Sequence, residues 1–274
     1  MLSCGRRDWS LKERSRLAKS EPLLEVRDLH LSFGGVKAVN GVSFKVYRAE
    51  IVGLIGPNGS GKTSLFNSIS GTYRPESGSV LLRGMHIEDL PPYRIYNLNL
   101  SRSFQTPRLF PKMSVLDNMI IAGKNQLGDR LGFAVLRRNH WLLQDSSLKE
   151  KAIKTLELLN LLRMKDERPS SLSGGQMKLL EIGRALMSDP DILLLDEPAA
   201  GVNPTLAGEV FDKILQLRDR MNITFIIIEH RMELVMKYAD RVLVMFNGKL
   251  LAEGSAGQIL NDEKVIDVYL GGNP

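Results

Sequence analysis

The chain has 274 residues, 43% of them hydrophobic and 25% charged, with a formal net charge of +6 and a single cysteine, Cys4. That length supports a sizeable core without covalent staples, and one cysteine excludes both an intrachain disulfide and a cysteine-rich zinc site. No apolar run approaches the roughly 18 residues that a membrane-crossing helix needs, the N-terminus shows no apolar stretch of a secretory signal, and the positive charge does not describe a nucleic-acid face, because residues 1–20 hold six basic and two acidic side chains and so most of the excess.

Residues 1–22 read as a flexible basic tail, too polar to bury a core. From Leu23 the pattern turns strand-like, with Leu24, Val26, Leu29, Leu31 and Phe33. A Gly34-Gly35 turn and the alternating Val42–Val46 follow, so the domain is expected to open on antiparallel strands. The apolar run Ile51–Ile55 leads into Gly56-Pro57-Asn58-Gly59-Ser60-Gly61-Lys62-Thr63, with Ser64 next and a helical stretch to Ser70. Strand, glycine-rich loop and helix is the context of a phosphate-binding loop. Its glycines let backbone N–H groups turn inward, the helix adds its positive end, Lys62 reaches the β- and γ-phosphates, and the Thr63 hydroxyl suits Mg²⁺.

The stretch from about residue 86 to 178 shows few strand runs, and helical spacing at Val115–Ala122 and Leu148–Leu162 predicts a helical insertion. Near its end stands Leu172-Ser173-Gly174-Gly175-Gln176. The S-x-x-Q spacing of Ser173 and Gln176 is that of a capping box, so a helix is predicted to start here. Two glycines in a first turn add nothing to capping and cost about 1 kcal/mol each relative to alanine. They make sense where an anion must approach bare backbone N–H groups.

Short apolar strands are predicted at Ile192–Leu195, Ile223–Ile228 and Val242–Phe246, separated by helices over Leu206–Arg220 and Arg231–Tyr238. That alternation predicts an α/β domain with a mostly parallel sheet. Asp196 and Glu197 follow the first of these strands at its carboxyl end, where open α/β sheets bind ligands. Next to a phosphate loop, Asp196 suits a Mg²⁺ shell and Glu197 a general base that polarises the attacking water.

Leu-Ser-Gly-Gly-Gln, lying between a phosphate loop and a strand ending Asp-Glu, resembles the signature of ABC-type ATPases. The resemblance implies an ABC nucleotide-binding domain over 23–272, with an N-terminal antiparallel β subdomain and the helical insertion already noted. It also implies that Ser173, Gly174, Gly175 and Gln176 close over ATP held by a partner's loop. Gln105 matches the glutamine that senses Mg²⁺ and the γ-phosphate, His230 the switch histidine, and Phe33 the aromatic stacked on adenine. The implied site is therefore catalytic at Glu197, His230 and Gln105, metal-binding at Thr63, Gln105 and Asp196, and ATP-binding at Phe33, Gly56 to Ser64 and Ser173 to Gln176.

A finer resemblance, to the LivG-type ATPase of branched-chain amino acid importers, rests on Arg102–Phe110, Leu172–Met187, Asp196–Pro204, Ile228–Met232 and Val268–Gly272. It implies a second ATPase subunit, the same or different, two membrane permease subunits docked on the insertion near Gln105 and Pro107–Met113, an external solute-binding protein, and a place on the cytoplasmic face of the membrane. Urea and amide importers are close alternatives, and the solute is not encoded in this chain. Non-transport ABC ATPases fit less well, since long heptads and a second ATPase unit are both missing. A GTPase would need an Asn-Lys-x-Asp guanine reader, which this chain lacks. Asn203 and Phe33 stand where many family members have Asp and Tyr.

Overall fold

The computed structural model describes residues 21–103, 109–124 and 138–270, with the side chains of residues 138–144 and 270 left aside. Gln105, Pro107, Arg108, the tail to residue 20 and the closing Gly271-Gly272 lie outside the described residues.

Strands β1 (Leu24–Phe33) and β2 (Val36–Val46) pair antiparallel across the Gly34-Gly35 turn. They join β4 (Ser77–Leu82) and β5 (Met85–His86) in a four-stranded sheet of order β2-β1-β4-β5. The second sheet has the order β10-β9-β3-β8-β7-β6, from β3 (Ile51–Ile55), β6 (Leu100–Arg102), β7 (Ile192–Asp196), β8 (Thr224–Ile228), β9 (Arg241–Phe246) and β10 (Lys249–Gly254). Its pairs are parallel except β9 with β10.

Every residue of β3, β7 and β8 is buried, which explains why they are continuous apolar runs rather than alternating ones. Alternate side chains nevertheless serve different cores. Ile192, Leu194, Ile226 and Ile228 pack toward the four-stranded sheet together with Val26, Leu29 and Phe66 of α1 (Lys62–Ile69). Leu193, Leu195, Phe225 and Ile227 pack on the opposite face, against helices that include α5 (Gly174–Leu186) and α6 (Pro204–Met221).

The span expected to be a helical insertion contains α2 (Pro92–Asn97), α3 (Val115–Ile120) and α4 (Arg138–Leu158). It also contains β6, which lies at the edge of the parallel sheet beside β7, so the chain re-enters the core before its helices are complete. Among the described residues no helix is long and apolar enough to cross a membrane. The chain closes with α7 (Met232–Tyr238), α8 (Ala256–Leu260) and α9 (Glu263–Leu270). Ile259 of α8 and Val265 of α9 pack beneath Ile55, the residue that leads into the phosphate-type loop.

Candidate nucleotide site

The order β3-β8-β7 places three carboxyl ends side by side, so the loops after Ile55, Ile228 and Asp196 converge although they are far apart in sequence. They form a cleft of about 490 Å³ whose walls include Asn58, Gly59, Gly61, Lys62, Thr63, Ser64, Glu197 and His230.

The loop's shape depends on glycine at its two ends. Gly56 has φ +146° and Gly61 φ +102°, and a Cβ at either would lie 2.1 Å from a backbone carbonyl oxygen, of Met245 and Ala38 respectively. The Lys62 ammonium donates to the carbonyls of Gly56 and Pro57 at 2.8 and 3.0 Å and reaches Ser60 Oγ at 3.4 Å. Burial pushes its pKa below the ordinary lysine value, against the opposing pull of Glu197 and Asp196. A charge so desolvated, with only neutral carbonyls and a hydroxyl at bonding distance, is well placed for phosphate oxygens.

Glu197 follows β7 with φ +51°, a left-handed conformation rare outside glycine. The turn swings its carboxylate into the cleft, where Oε1 lies 2.9 Å from Nε2 of His230. His230 is held in turn by Glu229, which is buried and whose Oε1 accepts from the backbone N–H groups of His230 and Arg231. Arg231 donates to the carbonyl of Val202, tying the histidine turn to the loop after Glu197.

Asp196 is buried, and burial raises its carboxyl above the ordinary aspartate value while Arg102, donating to Oδ2 at 3.1 Å, opposes that shift. No group of three or more His, Cys, Asp or Glu side chains that could hold a metal by itself is present among the described residues. Thr63 lines the cleft, whereas Asp196, buried at the end of β7, is not part of its wall. The donor set expected from the sequence, a hydroxyl and a carboxylate with phosphate oxygens and water, suits the chemistry of Mg²⁺ and suits zinc poorly.

Ser173 and Gln176 form the expected capping box: Ser173 Oγ accepts from the Gln176 N–H, and Gln176 Oε1 accepts from the Ser173 N–H at 2.8 Å. None of Ser173 to Gln176 lines the cleft. At Gly174 an added Cβ would meet no atom closer than 3.8 Å, so packing within this chain does not require glycine there. Gly175 is tighter, with Leu206 Cβ at 3.3 Å from such an atom.

Phe33 is also absent from the cleft wall. Its ring, 45% exposed, stands edge-on to Tyr73 at 5.1 Å, while its cross-strand partner Val36, with Lys37 and Ala38, does line the cleft. No motif or periodicity marks Tyr73 as the neighbour of Phe33, or Asn247 in the β9–β10 turn as part of the cleft wall. The next residue in that turn, Gly248, donates its N–H to the carbonyl of Ser60.

The family model described as "ABC transporter" matches residues 39–200, more than half of the chain. The chain belongs to the ABC transporter family. A second model, described as "Branched-chain amino acid ATP-binding cassette transporter", matches residues 249–273 of this cassette, the span of β10, α8 and α9. The cassette is 43% identical over 249 residues to a probable branched-chain amino acid transport ATP-binding protein LivG of Archaeoglobus fulgidus, covering 91% of this chain and 95% of that protein. It is 42% identical over 252 residues to the high-affinity branched-chain amino acid transport ATP-binding protein LivG of Escherichia coli K12, covering 92% and 99%. Among solved structures, the ADP conformation of MJ1267, an ATP-binding cassette of an ABC transporter, superposes with a TM-score of 0.80 at 38% identity, covering 92% of this chain and all of that one. The protein is thus a nucleotide-binding, ATP-hydrolysing cassette of a family whose members dimerise and work with permease subunits.

Proposed function

We propose that this cassette drives an importer of branched-chain or other neutral amino acids from the cytoplasmic face of the membrane, paired with a second ATPase subunit and two permease subunits that receive solute from an external binding protein. The solute rests on the likeness to the two LivG proteins and on the 249–273 match. The mechanism rests on one observation: the phosphate loop, Glu197 and His230 share a cleft, whereas the glycine-bearing helix start at Ser173 lies outside it. In this reading one chain carries two half-sites.

In the proposed cycle Gly56–Ser64 cradle the triphosphate, Lys62 neutralises its outer charge, and Phe33 presents a ring face to adenine. Thr63, Asp196 and Gln105 would hold Mg²⁺, which when bound neutralises charge on the phosphate oxygens. Ser173, Gly174, Gly175 and Gln176 of one chain cover the γ-phosphate on the other. Glu197 takes the proton of a water that His230 helps to orient, so catalysis is mostly positioning and charge stabilisation. The loop Leu109–Met113 is a docking element for the permease. Its shape is set by the fully buried Asn118, which exchanges hydrogen bonds with both backbone groups of Phe110.

Two measurements test this reading. Lys62→Ala removes the one charged group buried in the loop and is expected to weaken ATP binding by roughly 10- to 100-fold, from about 1.5–3 kcal/mol per hydrogen bond to a charged group; unchanged affinity in a folded variant would contradict the assignment. In the reconstituted complex, leucine, isoleucine or valine with the binding protein is expected to stimulate hydrolysis. Stimulation by urea or a short amide alone would overturn the amino-acid assignment and leave the ATPase mechanism intact.

A further inference from the structure

Arg102 is the last residue of β6, a three-residue edge strand, and its backbone pairs with Leu194, two residues before Asp196. Nothing about an arginine at the end of so short a strand predicts burial, yet its side chain is only 12% exposed and that of Asp196 only 5%. The guanidinium makes three kinds of contact. Nη2 donates to Asp196 Oδ2 at 3.1 Å, Nη1 donates to Asn67 Oδ1 and, at 3.3 Å, to Ser70 Oγ, and the group lies 5.6 Å from the centre of the Phe66 ring. Asn67 and Phe66 belong to α1, the helix that Lys62 and Thr63 begin, and Ser70 caps its far end. One planar fork therefore spans the helix carrying the phosphate loop, the strand carrying Asp196, and the strand that runs toward Gln105. Lysine, a point charge, cannot bridge these partners in the same way.

A buried ion pair of this kind seldom adds stability over an apolar replacement, since both charges lose water. Its value lies in what it fixes. We propose that Arg102 is the positioning residue of Asp196: anchored on α1 through Asn67 and Ser70, it holds one carboxylate oxygen and so sets the orientation in which Asp196 meets the divalent cation that accompanies ATP. This rests on the reading of Asp196 as a metal-side residue.

The test is equilibrium binding of a non-hydrolysable ATP analogue to the full chain, with and without Mg²⁺, in wild type, Arg102→Met, Arg102→Lys and Asn67→Ala. In wild type Mg²⁺ is expected to tighten binding. In Arg102→Met the Mg²⁺-free affinity stays near wild type while the gain from Mg²⁺ shrinks by about 10- to 100-fold, the usual effect of losing a partner that orients a metal ligand. Arg102→Lys and Asn67→Ala lose part of that gain in the same sense, and they decide the matter by the same criterion if Arg102→Met does not fold. A wild-type Mg²⁺ gain in the folded variants, or an equal loss with and without Mg²⁺, overturns the role of Arg102 alone. No Mg²⁺ gain in wild type overturns the metal assignment of Asp196, and this inference with it.

Discussion

Glu197→Gln should bind ATP as wild type does and hydrolyse it about 10²- to 10⁴-fold more slowly, the range associated with loss of a positioned general base. The amide is nearly isosteric, so the left-handed turn at residue 197 and the hydrogen bond to His230 can both persist. What is lost is the negative oxygen that accepts a proton from water. In the proposed cycle ATP binding draws on the loop and Lys62; the change removes the pull of the Glu197 carboxylate on that ammonium but none of the hydrogen bonds that hold it. If, as proposed, hydrolysis reopens the clasp, the variant should also accumulate as an ATP-loaded closed dimer. Single-turnover kinetics and the ATP-dependent mass of the particle measure the two effects separately, and normal turnover would refute the assignment of Glu197.

Gly174→Asp should lower hydrolysis nearly as much while leaving the monomer as stable as wild type or slightly more so. The position has room, with no atom within 3.8 Å of an added Cβ, and an aspartate in the first turn of α5 favours the helix by roughly 0.3–1 kcal/mol. The monomer should therefore melt at or slightly above the wild-type temperature and bind ATP unchanged. If this helix start covers a partner's γ-phosphate, the new carboxylate faces a like charge. At about 4 Å and an intermediate dielectric that repulsion is about 4 kcal/mol, so dimer closure and hydrolysis should fall by roughly 10²- to 10³-fold. Intact hydrolysis in this variant would mean that the helix start at Ser173 does not cover a partner's γ-phosphate.

Much of the architecture was legible because its strongest elements are locally determined. The phosphate loop needs glycine where a side chain would strike backbone, and the three fully buried strands cannot be anything but apolar. The Ser173–Gln176 cap is a three-residue relationship that the structure reproduces bond for bond. What escaped reading is set by tertiary neighbours. β6 is too short to carry a pattern, and it is a strand only because β7 offers an edge. β4 and β10 went unread: β4 exposes its glycine-bearing start, and β10 is only half-buried. Arg102 looks like any surface arginine until Asp196 and Asn67 are seen around it. Phe33 is aromatic where the family resemblance expects an aromatic, but the ring rests on Tyr73, forty residues away, and it is Val36 that reaches the cleft wall.

All of this depends on a nucleotide shared between two chains. The direct measurement is a structure of the Glu197→Gln dimer, with its ATPase partner and Mg-ATP, in which the distance from Ser173 Oγ to the nearest γ-phosphate oxygen is read. A hydrogen bond of about 3 Å to a triphosphate seated on the other chain's loop is the expected result. A triphosphate lying against Lys62 with Ser173 of neither chain in contact would contradict the account.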